Sequence, residues 1–155
     1  MSELMKAIKA NNLEKLQELV KNNVDINKAD ASGDWPVIMA AYLGHVSILS
    51  YLLKQGADLS VLDPGMKATA LHAAAYAGRA EAANLLIQYG ININLQGPYN
   101  GYTALHDAVW QGHVETASII LKGGADKTIK SKQGQTPLDL AKSLNKNALI
   151  DLLSS

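Results

Sequence analysis

The sequence predicts an all-α solenoid of stacked helix–turn–helix units, because three sets of markers share one period. A small residue between paired helices recurs at Asn11, Gly44, Gly78, Gly112 and Asn145, at spacings of 33, 34, 34 and 33 residues. A second set closes each second helix at Asn23, Gly56, Gly90 and Gly124, spaced 33, 34 and 34. A third opens each first helix at Trp35, Thr69, Thr103 and Thr136, spaced 34, 34 and 33. Self-similarity at a fixed period of this length is the signature of a repeat architecture.

Each marker has a local cause. Thr136-Pro137 sets a capping hydroxyl before a proline at the first helical position, where the missing N–H costs nothing. Thr69-Ala70 and Thr103-Ala104 keep the hydroxyl; Trp35-Pro36 keeps the proline, and Asp34 is the alternative cap there. Gly56, Gly90 and Gly124 suit the left-handed geometry that ends a helix, and Asn23 is the next-best residue for it. Val46, Leu49, Leu52 and Leu53 recur at helical spacing, as do Leu13, Leu16, Leu19 and Val20, and they predict the core. Ala40-Ala41 and Ala73-Ala74-Ala75 are small enough for neighbouring helices to approach closely.

Composition excludes several function classes. At 155 residues the chain has one domain's length. Lys+Arg and Asp+Glu are both 14, so the basic excess that nucleic acid or anionic lipid demands is missing. Zero cysteines exclude disulfides, thiolate metal sites and a cysteine nucleophile. No charged stretch leads into an apolar run at Met1–Lys6, and nothing approaches the roughly 18 residues of a membrane span. The expectation is a cytoplasmic protein, or a periplasmic or secreted one if a leader precedes this chain.

Thr69-Ala70-Leu71-His72-Ala73-Ala74-Ala75 followed by Gly78 resembles the T-P-L-H-x-A-A…G signature of ankyrin repeats. Gly44-His45-Val46 with Leu52-Leu53 and Gly56-Ala57-Asp58 resembles its G-H…L-L…G-A-D half, and Gly112-His113-Val114 with Gly124-Ala125-Asp126 repeats it. The resemblance covers essentially the whole chain. It implies a β-turn finger plus two antiparallel helices per unit, stacked into a curved solenoid. The expected division is a capping repeat at 1–29, full repeats at 30–62, 63–95 and 96–129, and a capping repeat at 130–155. Lys6, Lys9, Lys15 and Lys21 at one end, and Lys142, Lys146 and Asn147 at the other, are expected to close the stack with polar faces.

Departures from the pattern point to specific places. Asp25 to Trp35 and Asp126 to Thr136 are each 10 residues, whereas Asp58 to Thr69 and Asn92 to Thr103 are each 11. The fingers at Asp63–Lys67 and Gly97–Tyr102 therefore carry one extra residue, and Pro64-Gly65 and Asn100-Gly101 keep them tight. Lys67 stands where the finger glycine of the family stands.

No catalytic or metal constellation emerges. His72 and His106 sit at first-helix starts and bridge to the neighbouring finger backbone; the catalytic alternative would pair them with Asp107 or a hydroxyl. His45 and His113 open second helices, and four histidines at repeat spacing do not converge on one metal. Gly123-Gly124 is a helix end, since no phosphate-loop pattern surrounds it. No enzyme, cofactor or metal is expected.

The resemblance implies a concave binding face made of finger tips and the exposed side of each first helix. Tyr42, Tyr76 and Trp110 stand there in register, two residues before each inter-helix glycine, as an aromatic ladder. Leu43 and Gln111 lie beside them, and Asp34, Met66, Lys67, Tyr99, Asn100 and Tyr102 supply the fingers. Tyrosine and tryptophan dominate binding hot spots because they bury large area at low entropic cost. The alternative is that the rings fill space between repeats. Trp35 is structural, and Tyr51 and Tyr89 on second helices are assigned no function. The expected function is a non-catalytic module, monomeric, that binds another protein; the alternative is self-association through the same aromatic face.

Overall fold

The structure, a computed structural model, describes residues 1–155. It contains ten helices and no strand, arranged as five antiparallel pairs. The first helices are α1 (Glu3–Lys9), α3 (Pro36–Leu43), α5 (Ala70–Ala77), α7 (Ala104–Gln111) and α9 (Pro137–Ser143). Their partners are α2 (Leu13–Lys21), α4 (Val46–Lys54), α6 (Ala80–Gln88), α8 (Val114–Lys122) and α10 (Asn147–Ser154). First helices pack on first helices and second on second, which gives two layers. The closest approach runs through α3, α5 and α7, where Ala40, Ala41, Ala74, Ala75 and Ala108 are wholly buried. The outer layer supplies the bulk through Leu16, Ile48, Leu49, Leu52, Leu86 and Ile120.

Helix starts follow the threonines. Thr69 and Thr103 each accept a hydrogen bond from the backbone N–H of the histidine three residues on. The ring of that histidine accepts in return from the threonine N–H, which closes a capping box. The remaining nitrogen fixes the tautomer. His72 Nε2–H donates to the Tyr102 carbonyl at 3.1 Å, and His106 Nε2–H donates to the Gln135 carbonyl at 2.9 Å. Burial lowers the pKa of both rings, so both stay neutral at pH 7. Asp139 holds the corresponding place on α9, where its carboxylate closes the box with Thr136 but has no second nitrogen to reach onward. Asp34 is not the cap of α3. That place belongs to Trp35, which makes no side-chain capping bond, and Asp34 instead donates its own N–H to Asp30 Oδ1.

The fingers come in two sizes. Asp30 N–H bonds to the Asp34 carbonyl and Ser131 N–H to the Gln135 carbonyl, each spanning four residues. Asp63 N–H bonds to the Ala68 carbonyl and Gly97 N–H to the Tyr102 carbonyl, each spanning five. The extra residue lies where the spacing placed it. Lys67 takes the left-handed conformation at φ +55°, the place that Gly33, Gly101 and Gly134 hold in the other fingers. The turn is organised by the Asp63 carboxylate, which accepts from the N–H groups of Gly65, Met66 and Ala68.

Candidate binding groove

The first helices and the fingers enclose one side of a groove of about 680 Å³. Tyr42, Tyr76 and Trp110 stand along it with 46%, 51% and 48% of their surface exposed, so none of the three is buried between repeats. Their backbones are anchored from the following repeat. Arg79 Nε, His113 Nε2 and Lys146 Nζ donate to the carbonyls of Tyr42, Tyr76 and Trp110 at 3.1, 3.0 and 2.9 Å. Those carbonyls belong to last helical turns, where no intrahelical donor remains for them. The second-helix starts therefore fix the register of the ladder.

Eight of the eleven residues expected at the binding face line the groove: Asp34, Tyr42, Met66, Tyr76, Tyr99, Asn100, Tyr102 and Trp110. Leu43, Lys67 and Gln111 lie outside its lining. Leu43 and Gln111 follow the ladder residues by one position, which turns them off the face on a 3.6-residue helix. Lys67 is exposed on its finger and serves the turn. Met66 and Tyr99 are the most open of the large hydrophobic side chains on the groove, at 57% and 60%. Asn100 is engaged within its own finger through Oδ1, which accepts from Tyr102 N–H, and with the next finger through its carbonyl, which accepts from Lys132 N–H.

Tyr102 joins the finger to the helix. Its ring stacks on His106 with centroids 5.1 Å apart and 16° between planes. It also leans on Trp110 at 6.4 Å and 58°, so the two rings form one aromatic wall. Burial raises the Tyr102 pKa, and the nearby Asp107 charge raises it further.

Asp107 is a groove residue that the sequence reading weighed only as a partner for a catalytic histidine. With Met39 and Ala73 it forms a second row, one turn before the ladder and half-buried where the ladder is exposed. The signal was available, because residues three apart share a helix face and Asp107 precedes Trp110 by three. Burial pushes the Asp107 carboxyl up to about 7. Asp63 also lines the groove from its finger. The groove thus presents half-exposed aromatics, a shallow apolar floor and three carboxylates.

Comparison with known proteins agrees with this architecture. Residues 55–131 match the family described as ankyrin repeats (3 copies), and residues 4–53 match ankyrin repeats (many copies). Over 59 residues the chain is 41% identical to ankyrin repeat and SAM domain-containing protein 6 of Rattus norvegicus, a match covering 37% of this chain and 7% of that protein. Over 66 residues it is 39% identical to an ankyrin repeat protein of Rickettsia bellii (strain RML369-C), covering 39% of each. The chain thus matches well under half the length of either relative. No helix is long and apolar enough to cross a membrane. Ankyrin repeats are in general protein–protein interaction modules. Two family matches that follow one another along the chain, on five helix pairs of which two open with the Thr-x-x-His capping box, show that this chain belongs to the ankyrin-repeat family.

Proposed function

We propose that the domain is a non-catalytic binding module whose groove grips a segment of a partner protein. The observation that carries this reading is the row of Tyr42, Tyr76 and Trp110, half in solvent yet held by their backbones. Exposed aromatic surface on a rigid face is costly in water and rewarding in an interface. Because the repeats pre-order these rings, little conformational entropy is lost when a partner arrives. Met66, Tyr99 and Tyr102 shape selectivity from the fingers, and Asn100 and Asp63 hold the finger backbones that carry them. Self-association is the competing use of the same face.

The test is calorimetric titration of a partner captured from the source cell against Tyr42→Ala, Tyr76→Ala and Trp110→Ala. Each variant is expected to lose about 1–3 kcal/mol of binding free energy while remaining folded. Undiminished affinity in all three would remove the ladder from the interface. Sedimentation equilibrium over a wide concentration range is expected to return the monomer mass; a mass rising with concentration and abolished by Trp110→Ala would favour self-association.

A further inference from the structure

We infer that the groove is built for a segment that inserts a basic side chain, lysine or arginine, between the Tyr102–Trp110 wall and the Asp107 carboxylate. This rests on the groove being the binding face and names the chemistry of what it takes. The starting point is an imbalance. The chain carries as many basic as acidic residues, yet Asp34, Asp63 and Asp107 line this one groove and no lysine or arginine does. The ion pairs of the chain, Lys6 with Glu3 and Lys15 with Glu18, lie on α1 and α2, away from it. Asp63 is occupied with three N–H groups of its own finger. Asp107 accepts from no donor of the chain and stands in a row whose other members are Met39 and Ala73.

A carboxylate in a half-buried apolar row is a liability unless a cation meets it. The surroundings suit one. The exposed ring of Trp110 and the face of Tyr102 turned away from His106 attract a cation through their quadrupoles, and the alkyl stem of lysine or arginine can lie along the ladder. An acidic side chain would meet three carboxylates with no lysine or arginine to offset them, so the groove selects against it.

Titration gives the inference a second readout. Burial alone raises Asp107; His72 on α5, His113, Glu115 and Lys122 on α8, and Asp139 and Lys142 on α9 do not add to its shift. Tyr102 faces it from the finger, and Asp34 and Asp63 share the groove. A cation binds the ionised form, so affinity should rise with pH by roughly tenfold between pH 6 and pH 8.

The test selects a random dodecapeptide library displayed on phage against the wild-type chain, Asp107→Asn and Trp110→Ala, each first shown folded by circular dichroism. If Asp107→Asn misfolds, Asp107→Ala replaces it, matching Ala73 on α5. Wild-type selections are expected to converge on peptides with one enriched lysine or arginine. By fluorescence anisotropy, such a peptide should lose roughly 5- to 30-fold when that residue becomes alanine, and as much against Asp107→Asn. Its pH dependence should vanish with Asp107→Asn. Peptides that need Trp110 but carry no basic residue, or basic peptides indifferent to Asp107→Asn, would overturn this inference and leave the groove as the binding face. Selections yielding no peptide sensitive to Trp110→Ala would overturn both.

Discussion

His113 reaches back one repeat and donates Nε2–H to the Tyr76 carbonyl, 3.0 Å away, and its ring lies across Gly78. Gly78 has φ +72°, and a Cβ there would come within 2.6 Å of His113 Nδ1. Gly90 has φ +86° but nothing within 4 Å of its would-be Cβ. Gly78→Ala should therefore cost about 2–4 kcal/mol, combining backbone strain with a clash, and Gly90→Ala about 1–2 kcal/mol from strain alone. Urea denaturation of the two variants measures the difference. Equal losses would mean that the imidazole yields freely and does not fix the register.

Lys67 holds a left-handed conformation that L side chains resist, at φ +55°. Lys67→Gly should raise stability by about 0.5–1 kcal/mol, the relieved strain outweighing the extra freedom of the unfolded chain. Asp63→Ala should lower it by about 1–3 kcal/mol, because three finger N–H groups lose their acceptor. Thermal melts of both variants decide it, and a destabilised Lys67→Gly would show that the lysine side chain makes a contact worth more than the strain.

Burial holds Asp107 near 7, whereas the unfolded chain releases that proton near pH 4. The folded state binds the proton more tightly, so the stability this group contributes below pH 4 is lost progressively as pH rises to 7. Asp107→Asn should therefore gain little at pH 4 and about 1–3 kcal/mol at pH 8, the gain levelling off above 7. Urea midpoints at pH 4.5, 6 and 8 for both proteins test this; a pH-independent difference would place the carboxyl in ordinary solvent.

Leu71 is fully buried between the layers, and Tyr76 is half exposed on the groove. Leu71→Ala should cost about 2–5 kcal/mol of stability. Tyr76→Ala should cost less than about 1 kcal/mol. Chemical denaturation separates the two roles, and a large loss at Tyr76 would make it a packing residue.

Much of this molecule was readable because ankyrin capping and turn chemistry are local. Thr69 and Thr103 cap where a hydroxyl precedes a helix, and the 11-residue intervals located both lengthened fingers. Asp34 was misread because an aspartate beside a helix start is a competent cap. In the fold, Asp30 organises that finger and takes the Asp34 N–H, so the chain enters α3 through Trp35. Asp107 was underweighted for a different reason. Its place on the groove face follows from the three-residue step to Trp110, but its setting is made by Tyr102 from a finger, which a pattern search within one helix does not see. The reach of Arg79, His113 and Lys146 to ladder carbonyls spans 37, 37 and 36 residues, and nothing in the single sequence marks those pairs.

The main contacts of each helix run to its own partner and to the adjacent unit, and the backbone clasps at Tyr42, Tyr76 and Trp110 likewise join neighbours only. A side chain exchanged at one groove position therefore disturbs its own stretch of the face and leaves the pitch of the others set. Such a surface changes its ligand the way movable type changes a line of text, one character at a time with the line still locked in place.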